Sequence, residues 1–208
     1  VALGPGDHAI VTWPAYQSLF EVARGAGADV TLHELREDAG WAIDVDLLRR
    51  QGTPQTRFIV INAPHNPTGM QPDRATFDAV VALADEAGAH LIVDEVYRFL
   101  EFDEADRLPA GADVLARGLS IGVMSKSFAM AGLRIGYAVG HPDAIRKMTD
   151  WDSGSGTSSL NVLAMQAATA AVEQDPSFVV HERARNKAVR DLTMKWVADR
   201  GTMPADSQ

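Results

Sequence analysis

Phe58-Ile59-Val60-Ile61 is a run of four apolar residues with no polar residue alternating into it. A strand with one wet face alternates, so an unbroken run marks a strand covered on both faces, as in a parallel sheet between helices. Ala9-Ile10-Val11 and Leu91-Ile92-Val93 are shorter runs of the same kind. A fourth starts at Leu119 and reaches Ser125-Lys126, where a small-residue turn leads into another apolar run from Arg134. Helix-period stretches alternate with these runs. Tyr16 to Ala26 carries Leu19, Phe20 and Ala23 and closes on Gly25 and Gly27. Val45 to Arg50 follows the cap candidate Asp44, and Val30 to Leu35 reads as a short strand. Asp73 to Ala87 carries Phe77, Val80, Val81 and Ala84 on one face and stops at Gly88. Strand and helix in alternation predict an α/β fold, a three-layer α/β/α arrangement around a mostly parallel sheet.

The second half is more helical. Glu101 to Gly118 is polar, holds Pro109 and Gly111, and reads as a surface connection. A helix is expected from Pro142 to Trp151, then a break at Ser153 to Thr157, then a small-residue helix from Asn161 to Glu173. Ser177 to Arg200 reads as one long helix whose Val189, Leu192 and Trp196 form a stripe expected in the core, with solvated arginines and lysines opposite.

With 208 residues the chain has room for one domain, or one and a half, around a sizeable core. A net charge of −9 argues against a nucleic-acid partner. The absence of cysteine excludes disulfides, thiolate metal sites and cysteine nucleophiles. No signal peptide and no apolar run long enough to span a bilayer is visible, so a soluble cytoplasmic protein without a membrane partner is expected.

In open α/β sheets, ligands bind outside the carboxyl ends of the strands. Four conspicuous side chains follow those ends: Trp13, Asn66, Asp94 and Lys126. Each has a plain alternative taken alone. Asp94 reads equally as a cap, Asn66-Pro67-Thr68-Gly69 as a turn, Trp13 as core, and Lys126 as a loop lysine with its head in water. His65 reads as a loop histidine and Glu95 as solvated. Together, an aromatic, an amide, a carboxylate and a lysine suit pyridoxal phosphate, whose aldehyde takes a lysine Schiff base and whose ring nitrogen takes an acidic partner. Asp94 would keep that nitrogen protonated. Asn66 and Tyr97 would meet the phenolic oxygen, Trp13 would stack on the ring, and Arg134 with Ser125 would hold the phosphate.

Ala63-Pro-His-Asn-Pro-Thr-Gly69, Val93-Asp-Glu-Val-Tyr97 and Ser125-Lys-Ser-Phe-Ala-Met-Ala-Gly-Leu-Arg-Ile-Gly-Tyr137 together resemble the class I/II aminotransferases, pyridoxal-phosphate enzymes of fold type I. The resemblance implies an aspartate aminotransferase-like large domain over residues 1–175, lacking its N-terminal part. Residues 176–208 would be a long helix leading into a truncated small domain. It implies Lys126 as the Schiff-base and proton-transferring lysine, and Trp13, Asn66, Asp94, Tyr97, Ser125 and Arg134 as cofactor-binding residues. An amino donor and a 2-oxo acid acceptor would be the substrates, and a homodimer the assembly. Within the family, the Lys126 segment and the helical tail look similar to the histidinol-phosphate aminotransferase branch. Val123 departs from the family, which often has a hydroxyl residue three positions before the lysine. An upstream phosphate loop, a downstream carboxylate-binding arginine and a partner-subunit tyrosine are expected outside this sequence. Two other functions suit the same scaffold: a lyase, cyclase or decarboxylase, and a non-catalytic ligand-sensing domain of a regulator.

Overall fold

The computed structural model describes residues 3–155, 160–173 and 177–200. Six strands form one sheet: β1 (His8–Trp13), β2 (Asp29–Glu34), β3 (Thr56–Asn62), β4 (His90–Asp94), β5 (Gly118–Val123) and β6 (Gly136–Gly140). Their order is β2-β1-β3-β4-β5-β6, parallel throughout except for the antiparallel pairing of β5 with β6. The strand order reverses at β1, which pairs with β2 on one side and with β3 on the other. Crevices at such reversals open at the carboxyl ends of the strands.

Alternation along the strands makes the layers. Ala9, Val11, Phe58 and Val60 pack with Ala23, Leu19 and Phe20 of α1 (Ser18–Gly25). On the opposite face Ile10, Ile59, Ile61, Leu91 and Val93 pack with Leu48 of α2 (Val45–Gln51) and with Phe77, Val80 and Ala84 of α3 (Arg74–Glu86). The unbroken apolar runs are therefore covered on both faces, as the sequence predicts. Helix starts follow the sequence too. Asp44 accepts from the Leu47 amide at 2.8 Å and Asp73 from the Thr76 amide at 2.7 Å, each satisfying a donor the helix cannot. Past α3, Gly88 takes the left-handed conformation (φ +63°) that lets the chain turn into β4.

The connection from Glu101 to Gly118 departs from the expected surface loop. It contains a short helix, α4 (Gly111–Val114), and buries Glu101, Leu108, Gly111 and Leu115. Helices α5 (Pro142–Ser155), α6 (Val162–Glu173) and α7 (Ser177–Ala198) follow among the described residues. The break expected at Ser153 to Thr157 is helical over its first three residues, and the other two lie outside the described residues. Ala164 of α6 packs with Met124 and Ile135 beneath the turn that carries Lys126. The α7 stripe is a correction. Val189, Leu192 and Trp196 are 57, 70 and 54% exposed, because helical periodicity makes an apolar face without specifying what covers it. No helix among the described residues is long and apolar enough to cross a membrane.

Gly118 marks the tightest approach. A Cβ there would run into the Gly111 carbonyl and lie 2.8 Å from the Leu115 carbonyl oxygen, and backbone cannot swing aside as a side chain can. Gly118→Ala should cost about 2 kcal/mol or more in a denaturant titration. Gly25→Ala, at a helical position with open space around it, should be neutral or stabilising by up to about 1 kcal/mol. Equal effects at the two positions would contradict this packing.

Candidate active site

The site is built from the ends of β3 and β4 outward. Asn62 ends β3 opposite Asp94 at the end of β4. The Asn62 side-chain amide donates to the Asp94 carbonyl at 2.8 Å, and the Ala63 backbone amide donates to the same oxygen at 3.0 Å. The other end of the Asn62 side chain accepts from the Asn66 amide at 2.7 Å. One buried amide thus ties the β4 end to the Asn66 turn. Asn62 escapes the sequence reading, although an amide closing an apolar run was a signal for it.

Asp94 is 6% exposed. Burial pushes its carboxyl up to about 6; the bond from the Val96 amide to Oδ1 (3.1 Å) works against that shift, and the neighbouring Glu95 charge adds to it. Asp94 therefore does cap the turn after β4, as the plain reading has it, and is also a dry carboxylate. No cationic side chain among the described residues forms an ion pair with it.

The turn after β4 carries Tyr97, whose ring centroid lies 5.6 Å from Lys126 Nζ. Lys126 sits in a tight turn after β5, closed by the Ala129 amide on the Lys126 carbonyl (3.1 Å) and the Met130 amide on the Met124 carbonyl (3.0 Å). The lysine is exposed, as the loop reading has it, because this turn projects past the carboxyl edge of the sheet. Across the hairpin the Met124 amide donates to the Ile135 carbonyl at 3.1 Å, so Ser125 and Arg134 are flanking neighbours of one backbone bond. Arg134 is exposed in the left-handed region (φ +55°), bonds the Ala131 carbonyl at 3.2 Å, and pairs with no carboxylate among the described residues.

Trp13 is half-exposed at the end of β1. Val11 pairs with Val60 and Asn62 with Asp94, so the two-residue repeat puts Trp13 on the same sheet face as Asn62 and Asp94. Its side chain also lines a cavity of about 670 Å³ beyond β2, with Leu35, Arg36 and Trp41. The structure thus joins Asp94 to the Asn66 turn, Tyr97 to Lys126, and Ser125 to Arg134, and sets Trp13 at the margin of the group.

Two neighbours differ in kind. His65 is a buried loop histidine bonded to Thr68 (2.7 Å), and burial lowers its pKa. Glu95 is 5% exposed and fully bonded, which overturns its reading as solvated. Among the described residues no cluster of His, Asp or Glu could hold a metal ion.

The family model for class I and II aminotransferases matches residues 1–208. The aspartate/prephenate aminotransferase of Thermus thermophilus is 33% identical over 201 residues, 96% of this chain and 52% of the relative. A probable N-succinyldiaminopimelate aminotransferase of Mycobacterium tuberculosis is 40% identical over 144 residues, 68% of this chain and 36% of the relative. Among solved structures, Thermus thermophilus aspartate aminotransferase with maleate superposes with a TM-score of 0.89 at 33% identity, over 96% of this chain and 53% of that one. The chain spans about half the length of these full-length relatives.

The raised Asp94 pKa fixes the sign of a stability effect. Its folded value of about 6 lies above the unfolded value near 3.8, so the ionised form opposes folding above pH 6 and the penalty disappears as pH falls toward 4. Asp94→Asn should therefore stabilise the ligand-free chain by on the order of 2–3 kcal/mol at pH 7.5, with the gain vanishing near pH 4. Urea titrations across that range check it; a variant less stable than the parent at pH 7.5 would contradict it.

Proposed function

This chain belongs to the class I and II aminotransferases, and on that premise we propose that it forms the cofactor-binding part of a pyridoxal-phosphate-dependent aminotransferase. In this reading residues 1–175 are the large domain and 176–208 lead toward a smaller one. The supporting observation is Asp94: a carboxylate 6% exposed, raised to about 6, with no cation paired to it among the described residues. Such a group suits a ligand that brings a positive charge into the same dry place. Members of the family use pyridoxal phosphate, whose protonated ring nitrogen is such a charge.

The donor set suits the rest of the molecule. Asp94 would face the ring nitrogen, Asn66 and Tyr97 the phenolic oxygen, and Trp13 the ring face. Ser125 and Arg134, which pairs with no carboxylate among the described residues, would take the phosphate, Arg134 through its planar fork. Val123 leaves one fewer hydroxyl for that phosphate than the family often has. Bound there, pyridoxal phosphate supplies an aldehyde and an electron-withdrawing ring that makes a substrate Cα–H acidic. Lys126 Nζ, on its projecting turn, would hold the aldehyde carbon and then serve as general base for the Cα proton. Its exposure lets the amine reach both positions.

The donor is an amino acid or amino-alcohol phosphate and the acceptor a 2-oxo acid. The protein works in the cytoplasm and as a homodimer, and the apolar side chains that α6 and α7 expose support the second of these. Sedimentation of the full-length protein should report two subunits.

Borohydride reduction of the full-length protein with pyridoxal phosphate, followed by peptide mapping, tests the central assignment. A pyridoxyl group on Lys126 is expected, absent in Lys126→Ala, with transamination lowered at least about 10²-fold in that variant. A folded protein that binds the cofactor without modification at Lys126 would overturn the assignment.

A further inference from the structure

We propose that Glu95 is a positioning residue, whose buried carboxylate holds the turn bearing Lys126 at a fixed place relative to Asp94. The inference takes its chemical meaning from the function proposed above, but its geometry stands on its own.

Glu95 collects donors from three segments. Oε1 accepts from the Ser120 hydroxyl of β5 at 2.6 Å and from the Gly111 amide of α4 at 2.8 Å. Oε2 accepts from Arg98 Nη1 at 3.0 Å. The same Arg98 nitrogen also donates to the Leu108 carbonyl at 3.0 Å, so the guanidinium is held from two sides. The backbone carbonyl of Arg98 in turn accepts from the hydroxyl of Ser127, which is 2% exposed and follows Lys126 directly. A continuous path thus runs from Asp94 through Glu95, Arg98 and Ser127 to Lys126. The Lys126 side chain is exposed, and among the described residues its Nζ meets the Tyr97 ring and forms no ion pair, so its neighbours must set its place.

Stability alone is a poor account of this network. A buried ion pair gains little over well-packed apolar residues of similar volume, because desolvation offsets the attraction. What a fully bonded carboxylate supplies is direction, since all of its donors are fixed in space. It also does so next to a second buried carboxyl that needs none of those donors. Glutamine is a sharp probe here. Its amide nitrogen must face either Arg98 or the Ser120 and Gly111 pair, so the size is kept and a link is broken.

The first readout needs no cofactor. Amide hydrogen exchange at Ala129 and Met130, whose bonds close the Lys126 turn, is compared in the parent, Glu95→Gln, Ser127→Ala and the double variant. Exchange there should quicken about tenfold in each single variant and no further in the double, with β1 and α3 unchanged. Faster exchange throughout, unchanged exchange in either single variant, or multiplied effects in the double would overturn the proposal. Should Glu95→Gln fail to fold, Ser120→Ala removes one Glu95 donor and is held to the same criterion. The second readout is the rate at which pyridoxal phosphate becomes reducible onto Lys126 in the full-length protein, expected to fall about tenfold in the same variants. A parent that never acquires the label would defeat the functional reading, while the exchange pattern would still decide the positioning role.

Discussion

The carbonyl oxygen of Asp94 takes two hydrogen bonds from the end of β3, from the Asn62 side chain and the Ala63 amide, and much of the molecule depends on that junction. It locks the last residue of β4 into the parallel ladder and so sets the sheet face from which the Asp94 side chain leaves, while the Val96 amide holds Oδ1 in place at 3.1 Å. Sheet register and that local bond together keep the carboxyl buried. A group held in this way opposes folding when ionised, and the sheet's two apolar layers supply the excess stability that tolerates it. The pattern of a locally unfavourable charge on a rigid frame is typical of sites kept for a partner.

The second half of the site is held differently. Lys126 lies on an exposed turn, and no strand fixes it. Its location comes from hairpin bonds to β6, from the Met124–Ile135–Ala164 cluster below, and from the buried Glu95–Arg98–Ser127 path on one side. Asp94 is thus fixed at the end of its own strand, and Lys126 from outside its strand, by the hairpin, the packed cluster and the buried path together. That division suits a carboxylate that must stay still and an amine that must move between two reacting positions.

Much of this arrangement was legible in the sequence. Unbroken apolar runs gave β1, β3 and β4, because strands covered on both faces have no reason to alternate. Asp44 was readable as a cap, since capping is local chemistry. Asn66, Asp94 and Lys126 stood out as polar residues just past such runs. Glu95 did not: its partners lie 3, 16 and 25 residues away, and only the folded chain brings them together. Asn62, the amide that closes the β3 run, carried a local signal, but its partners Asp94 and Asn66 are brought to it only by the fold. The α7 stripe failed for the converse reason, since a period of 3.6 residues reports an apolar face and says nothing of its partner. Lys126, between two apolar runs of the sequence, sits beyond the sheet edge as the loop-lysine alternative has it, because the turn's reach past β5 is set by the hairpin with β6.

The central claim is that the Asp94 carboxylate is kept dry for a cationic ring. Carbon-13 NMR of the full-length protein with labelled aspartate follows that carboxyl directly, without and with pyridoxal phosphate. Without it, Asp94 should titrate with a midpoint of about 6. With it bound, attraction to the protonated ring nitrogen should lower the midpoint by about 1–3 pH units, leaving Asp94 ionised through the physiological range. A midpoint that stays near 6 when the cofactor is bound would show that Asp94 does not face the ring nitrogen, and the site as assembled here would be wrong.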